Sequence, residues 1–255
     1  MKPNKILLIL VLSLILACCA TQAKKIQKKE NDAQYEYEKA VLTMNYGLVD
    51  EAIKYLNRAL SLNPNHHLSF YLLGLAYVKK QNLAEAEAAI QKCLELKPDF
   101  SEAHISLGEI YEDTSKLDKA EDEYKKAYAV AQNYSTSFHL AMLYYGRGKL
   151  DQALEYVQKA IQKDSRSIQA YNLQGVILNK LGRYPESIQS FQSVLKIDPN
   201  YAVASVNLAI AYINNKNFDK ARELLEKTLP TVQDQKLKEK IQEYLEKIKE
   251  LIKDK

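Results

Sequence analysis

Residues 67–100 read HLSFYLLGLAYVKKQNLAEAEAAIQKCLELKPDF, and the spacing of small and apolar residues in this stretch decides the fold. Gly74 and Ala86 are small residues twelve positions apart, and apolar Ile90 follows four positions after Ala86. Pro98 comes twelve positions after Ala86, where a helix must stop. The stretch therefore has small and apolar residues at a fixed spacing and ends at a helix-stopping proline.

The same arrangement recurs six times, at intervals of 33 or 34 residues. The residues that correspond to Ala86 are Ala52, Ala86, Ala120, Ala153, Ser187 and Ala221. The small residues twelve positions earlier are Ala40, Gly74, Gly108, Ala141, Gly175 and Ala209. The apolar residues four positions later are Leu56, Ile90, Tyr124, Val157, Phe191 and Leu225. Six copies in phase establish an internal repeat with a period of about 34 residues.

A 34-residue period with this pattern resembles the tetratricopeptide repeat family. The resemblance covers residues 33–233 and implies a right-handed α-solenoid of about six helix pairs. The predicted repeats are 33–66, 67–100, 101–133, 134–167, 168–201 and 202–233. Tyrosine occupies the family's usual aromatic position in four repeats, whereas Thr43 and Leu178 depart from it. Repeat three lacks the closing proline and is one residue short, which leaves its junction at Gln132 and Asn133 open.

Residues 234–255 are predicted to form a C-terminal capping helix. Its apolar residues fall at helical spacing, at Leu237, Ile241, Tyr244, Leu245, Ile248, Leu251 and Ile252. A solenoid must cover its last apolar face, and a helix with one polar side does so. A coiled-coil helix that binds a partner is the alternative.

The N-terminus has the pattern of a signal peptide that is removed from the mature chain. Lys2 and Lys5 precede an apolar run over residues 6–17, which is shorter than the roughly 20 residues of a membrane span. Residues 15–18 read ILAC and resemble the bacterial lipobox, which implies a signal peptide at 1–17 and lipidation of Cys18. Cys19 is the alternative lipidation site. A plain secretory signal or a short membrane anchor are the other interpretations.

The lipobox resemblance implies a cell-envelope protein that carries a diacylglyceryl thioether and a fatty acyl amide such as palmitate. The residue after Cys18 is not Asp, so the usual inner-membrane retention signal is missing. This favours the periplasmic face of the outer membrane. Residues 18–32 would then be the lipidated N-terminus and a lysine-rich linker.

No motif indicates an enzyme, and we expect no cofactor and no metal. Cys93 occupies a small core position, so we expect a packed thiol. His66 and His67 have no Cys or His partner at metal-binding spacing. The formal net charge of +4 falls to about +2 without the two N-terminal lysines, which is too little to indicate a nucleic-acid partner.

In tetratricopeptide geometry the fifth, ninth and twelfth residues of each repeat face a concave groove, and here most of them are apolar or aromatic. The predicted partner-binding residues are Tyr37, Val41, Met44, Tyr71, Leu75, Val78, Ile105, Phe138, Met142, Tyr145, Val176, Val206, Ile210 and Ile213. Repeats three and five depart from the pattern, with Glu109, Glu112, Asn172 and Asn179. An apolar groove favours a protein partner that contributes an amphipathic helix or strand. The alternative is that some of these residues only pack against neighbouring repeats, or that the linker or the C-terminal helix fills the groove.

A lipobox, a short linker and six repeats together resemble the layout of the type IV pilus pilotins. Those are outer-membrane lipoproteins that help a secretin channel to assemble. The resemblance implies a scaffold or assembly factor with a secretin as partner. An adaptor for peptidoglycan enzymes and an accessory to outer-membrane barrel assembly share the layout and remain alternatives.

Overall fold

The computed structural model describes residues 32–253, and every regular element in that range is helical, which confirms the all-α prediction. The α-helices in chain order are α1 (Ala33–Asn45), α2 (Val49–Leu62), α3 (His67–Lys79), α4 (Leu83–Leu96), α5 (Ser101–Asp113), α6 (Leu117–Val130), α7 (Tyr134–Gly146), α8 (Leu150–Lys163), α9 (Ile168–Lys180), α10 (Tyr184–Ile197), α11 (Ala202–Asn214), α12 (Phe218–Thr228) and α13 (Gln235–Lys253). A single 3₁₀ turn, Leu229–Thr231, separates α12 from α13. The predicted signal peptide, Cys18, Cys19 and residues 20–31 of the linker lie outside the described residues.

The chain divides into two compact units, Met1–Lys116 and Leu117–Lys255. In the first unit, α1 packs with α2 and α3 with α4, while α5 packs on α4. In the second unit, α6 packs on α7, and the pairs α7–α8, α9–α10 and α11–α12 follow. The boundary falls between the two helices of the third repeat.

Close approach of the paired helices explains the small residues at fixed spacing. At Gly175 an added Cβ would lie 2.6 Å from Cε1 of Phe191, whose side chain is buried. The hydroxyl of Ser187 donates a 2.8 Å hydrogen bond to the Gly175 carbonyl oxygen across the same contact. Only a residue without a side chain fits at this point, so the glycine is required by packing.

The turn inside each pair has a residue with positive φ at the same repeat position. Three are glycines, and the others are Gln81, Ser115 and Lys216, with φ of 61°, 58° and 61°. A side chain in this left-handed region costs about 1 kcal/mol, because Cβ crowds the following carbonyl oxygen. The turn therefore keeps a positive φ at this repeat position even where glycine is absent.

The open junction at Gln132 and Asn133 has a defined structure. The Asn133 side chain accepts a 3.0 Å hydrogen bond from the backbone N–H of Thr136, whose hydroxyl accepts one from the Asn133 N–H. This reciprocal capping box starts α7 and replaces the missing proline as the signal that separates two helices.

Helix α13 covers the apolar face of the last helix pair. Ile241 and Ile248 are fully buried in one core cluster with Val206, Ala209 and Leu225. The apolar stripe of α13 is buried against the last helix pair, and covering that face is what a capping helix does.

Candidate functional site

The first helices of successive repeats are neighbours within each unit. Helix α3 contacts α1 and α5 in the first unit, and α9 contacts α7 and α11 in the second. Residues four and seven positions apart share one face of a helix, so the fifth, ninth and twelfth residues form a row on each first helix. We call the surface made by these rows the first-helix surface and describe it separately for each unit.

In the first unit, aromatic and apolar side chains of α3 face carboxylates of α5. The Tyr71 ring packs against Phe100 with ring centroids 4.9 Å apart, and burial raises the pKa of Tyr71. Leu75 and Val78 line a cavity of about 320 Å³ whose other side includes Glu109 and Glu112. This part of the surface suits a ligand that combines an apolar body with basic or hydrogen-bond-donating groups.

The most exposed apolar part of the predicted set lies in the second unit, on α7. Met142 has 45% of its surface exposed, although Leu140, Ala141, Leu143 and Tyr144 on the same helix are almost fully buried. The fold therefore does not use Met142 for packing. A flexible thioether side chain in this position can adapt to different apolar partners.

Two aromatic residues flank Met142 on α7. Phe138 stacks on Tyr134, with ring centroids 5.4 Å apart and an angle of 12° between the planes. The Nζ of Lys180 on α9 lies 4.6 Å from the centroid of the Tyr145 ring. These contacts hold both rings in place at the edge of the surface.

The surface becomes polar on α9 and α11, where pairs of asparagines bond to each other. The Asn207 side chain donates a 3.2 Å hydrogen bond to the Asn172 side chain, and Asn214 donates one of 3.0 Å to Asn179. Val176, which lies between Asn172 and Asn179 on α9, is half-buried. Carboxamides offer both donors and acceptors to a peptide backbone.

Sequence reasoning missed Asn207 and Asn214, because it considered only the fifth, ninth and twelfth positions. Both lie 35 residues after their partners, one position beyond the repeat interval. This 35-residue spacing between asparagines could therefore have been used to predict the two pairs from the sequence.

Four residues of the predicted set are buried, and their assignment to the binding surface is wrong. Met44 and Ile105 have only 7% and 9% of their surface exposed, and Val206 and Ile213 only 1% and 9%. Met44 belongs to the core between α1, α2 and α3, while Val206 and Ile213 pack in the cluster that includes α13. These side chains stabilise repeat packing, as the alternative interpretation expected for some inward residues.

The other predicted positions keep part of their surface accessible. They are Tyr37, Val41, Tyr71, Leu75, Val78, Phe138, Tyr145, Val176 and Ile210, which are half-buried, and Met142, which is exposed. Tyr37 packs edge-on against His66, with ring centroids 5.3 Å apart. The predicted set is thus a mixture of packing and contact residues.

The remaining chemical groups give no reactive centre among the described residues. Cys93 is a buried free thiol, and burial raises its pKa to about 11. Within residues 32–253, no three His, Cys, Asp or Glu side chains are placed to hold a metal ion. Over the same range, each helix is too short or too polar for a membrane span.

Family models described as tetratricopeptide repeat match the chain at residues 37–99, 71–136, 138–202 and 178–241. The protein O-mannosyl-transferase TMTC3 of Homo sapiens is 26% identical over 212 residues, or 81% of this chain. This chain spans only 23% of the length of that protein. Its transferase activity therefore says nothing about this chain.

The chain is also similar to the type IV pilus assembly protein PilF of Pseudomonas aeruginosa. The identity is 22% over 159 residues, which are 61% of this chain and 63% of PilF. A crystal structure from a study of that pilF superimposes with a TM-score of 0.71 at 13% identity, over 84% of this chain and 98% of the other. At this identity the structural likeness shows the fold alone.

Proposed function

The chain belongs to the tetratricopeptide repeat family, and from that premise we propose that it is a lipid-anchored scaffold whose first-helix surface binds another envelope protein. Repeats of this family form scaffolds for protein interactions and are typically not catalytic. The observation that carries the proposal is the exposed Met142, which lies between the half-buried rings of Phe138 and Tyr145 on α7.

The chemistry of the surface defines the partner we propose. Exposed Met142 and the half-buried aromatic rings beside it suit large apolar side chains of a partner segment. The asparagine pairs on α9 and α11 can accept and donate hydrogen bonds to that segment's backbone. A partner helix or strand with one apolar side fits the surface around Met142. Free backbone N–H or C=O groups at the end of that segment fit the asparagine pairs.

The anchor is the finer part of the proposal and rests on the sequence. The ILAC motif at residues 15–18 places a lipidation site at Cys18, with Cys19 as the alternative. Several acyl chains together hold a protein stably at a membrane, whereas one does so only marginally. We place the chain at the periplasmic face of the outer membrane.

For the pathway, we propose a pilotin role in a type IV pilus or a secretion system, with a secretin as the partner. Support comes from the similarity to the type IV pilus assembly protein PilF and from the lipobox followed by six repeats. An unassembled secretin exposes apolar surface, which matches the apolar part of the first-helix surface.

The test is to remove the protein from its cell and measure detergent-resistant secretin multimers in the outer membrane. We expect multimers to be lost without the protein and restored by the wild-type chain, but not by Met142→Glu. The control is Val130→Glu. Val130 is 42% exposed, similar to Met142, but lies at the end of α6, the second helix of its repeat. This variant should restore assembly. Normal multimers without the protein would disprove the pilotin role. If the protein then captured a cell-wall enzyme or a barrel-assembly component, the scaffold role would stand but the pathway would be a different one.

A further inference from the structure

Three large apolar side chains are exposed at the edge of the first repeat. Leu42 on α1, and Tyr46 and Leu48 in the following turn, have 55%, 74% and 48% of their surface exposed. We call these three residues the N-terminal edge. They lie outside the first-helix surface, so the proposed partner does not account for them.

Comparison with the later repeats shows what the N-terminal edge lacks. The residues at the position of Leu42 in repeats two to six have 0–1% of their surface exposed; they are Ala76, Ile110, Leu143, Ile177 and Ala211. In those repeats, the second helix of the preceding repeat packs against the first helix, as α2 does against α3 and α10 against α11. Among the described helices α1 comes first, so Leu42 has no such cover.

The N-terminal edge lacks two lysines that form ion pairs across junctions between later repeats. Lys80, at the position of Tyr46, pairs with Asp50 of the preceding repeat at 2.6 Å. Lys116, at the position of Leu48, pairs with Glu87 of its preceding repeat at 3.2 Å. The edge replaces both lysines by apolar or aromatic residues. The edge therefore presents an apolar and aromatic surface where these two later junctions have ion pairs.

We propose that the N-terminal edge rests on the lipid bilayer and acts as a second membrane contact beside the acyl anchor. This inference rests on the lipid anchor of the proposed function. Residues 18–31 join the anchored Cys18 to Asp32, whose side chain caps α1 at Gln34 with a 3.0 Å hydrogen bond. A linker of this length reaches about 50 Å at most, so the start of α1 stays within that distance of the anchor.

The residue types of the edge and of the linker suit a membrane interface. Tyrosine is enriched at the level of the lipid headgroups, and exposed leucines insert among the acyl chains. The linker carries Lys24, Lys25, Lys28 and Lys29, which anionic headgroups attract. The bilayer is the occupant that meets both the apolar and the basic groups.

The absence of tryptophan from the whole sequence allows a direct test. Tyr46→Trp introduces a single fluorophore at the edge, in a processed chain (residues 18–255) that carries Cys18→Ser and Cys19→Ser and therefore no lipid. The probe is vesicles of phosphatidylethanolamine and phosphatidylglycerol, with and without brominated acyl chains. The matched control is Val130→Trp in the same chain, because Val130 is also exposed, at 42%, but lies in the second unit.

With vesicles, we expect the tryptophan emission of the Tyr46→Trp variant to shift to shorter wavelength. Vesicles with brominated acyl chains should quench that emission. The control should show neither effect. Adding Leu42→Ser to the Tyr46→Trp variant should weaken both effects. Unchanged emission of the Tyr46→Trp variant, or equal quenching of both variants, overturns the proposal. A shift that grows with protein concentration without vesicles also overturns it and assigns the edge to a second copy. Because the test chain carries no acyl group, its outcome is independent of whether Cys18 is lipidated.

Discussion

The phenolic hydroxyl of Tyr144 donates a 3.1 Å hydrogen bond to Oε1 of Glu121 and thereby joins repeats three and four. The other oxygen of this carboxylate, Oε2, accepts hydrogen bonds from Arg147 at 2.7 Å and from Lys149 at 3.3 Å. One carboxylate thus binds three side chains of the following repeat. The Glu121 side chain is only 13% exposed, so water weakens these interactions less than it would at an open surface.

The same contact recurs one repeat earlier. Tyr111 donates a 3.0 Å hydrogen bond to Glu87, and Lys116 pairs with the same carboxylate at 3.2 Å. The tyrosine at the family's aromatic position therefore has two functions here. Its ring fills the space between helices, and its hydroxyl holds the carboxylate of the preceding repeat.

We predict that Glu121 makes stability depend on pH in the acid range. Burial raises the pKa of Glu121, but hydrogen bonds from Lys125, Tyr144 and Lys149 outweigh this effect and hold the pKa at about 2, below its ordinary 4.5. The unfolded chain therefore takes up the proton first as the pH falls. The stabilisation is complete above pH 4.5 and disappears between pH 4.5 and about 2.

Glu121→Gln should therefore lower the free energy of unfolding at pH 7 by up to about 3 kcal/mol and flatten its dependence on pH below 4.5. Urea unfolding at a series of pH values measures both effects. The control is Glu155→Gln, because the exposed Glu155 side chain pairs at 2.6 Å within its own helix, with Lys159. This substitution should change stability by no more than about 0.5 kcal/mol. Equal effects of the two substitutions would contradict the assignment.

Gly175 and Gly146 should respond in opposite ways to alanine. At Gly175 the new methyl group would meet Phe191 at 2.6 Å inside the core, so Gly175→Ala should cost about 1–3 kcal/mol. Gly146 has no atom within 4 Å of the Cβ position, and Gly146→Ala should raise stability by up to about 1 kcal/mol, because alanine favours the helix. Thermal unfolding compares the two variants. A stabilised Gly175→Ala chain would show that the helices are not packed as closely as the structure places them.

The close approach at Gly175 also explains how much of the fold the sequence predicts. Helices that touch require small residues at fixed spacing, and six such pairs, together with the family resemblance, predict six helix pairs. The start of α7 was harder to predict, because Asn133 and Thr136 replace proline by side-chain capping.

The binding residues could be predicted less well, because the repeat position does not show what covers a side chain. Val206 and Ile213 occupy the same positions as half-buried residues of other repeats but are buried in the cluster with Ile241 of α13. Leu42 shows the reverse case, since its position is buried in each later repeat. The first and last repeats differ from the others through their neighbours and not through their own pattern.

Cys93 should be unreactive in the folded chain. With a pKa of about 11, only about one thiol in a thousand is ionised at pH 8, and the side chain is fully buried. In a chain with Cys18→Ser and Cys19→Ser, a thiol reagent such as dithionitrobenzoate should react only after denaturant is added. Rapid reaction without denaturant would show that α4 opens easily.

Cys18 should carry the lipid. Cys18→Ser should abolish palmitate labelling in cells and leave the chain unprocessed or released from the membrane, because the thiol is the site of acyl attachment. Cys19→Ser is the matched control and should be labelled like the wild type. Labelling that persists in Cys18→Ser but is lost in Cys19→Ser would move the anchor by one residue. If neither the variants nor the wild type were labelled, lipid anchoring of this chain would be disproved.

Photo-crosslinking in cells tests the binding claim most directly. A photoreactive phenylalanine derivative replaces either Met142 or Val130. Met142 is 45% exposed and lies on the first-helix surface. Val130 is 42% exposed and lies in the same unit at the end of α6, outside that surface. We predict a specific protein adduct from position 142 and none from position 130, and mass spectrometry of that adduct identifies the partner. No adduct from position 142 at normal expression, or the same adducts from both positions, would contradict the claim that this surface binds the partner.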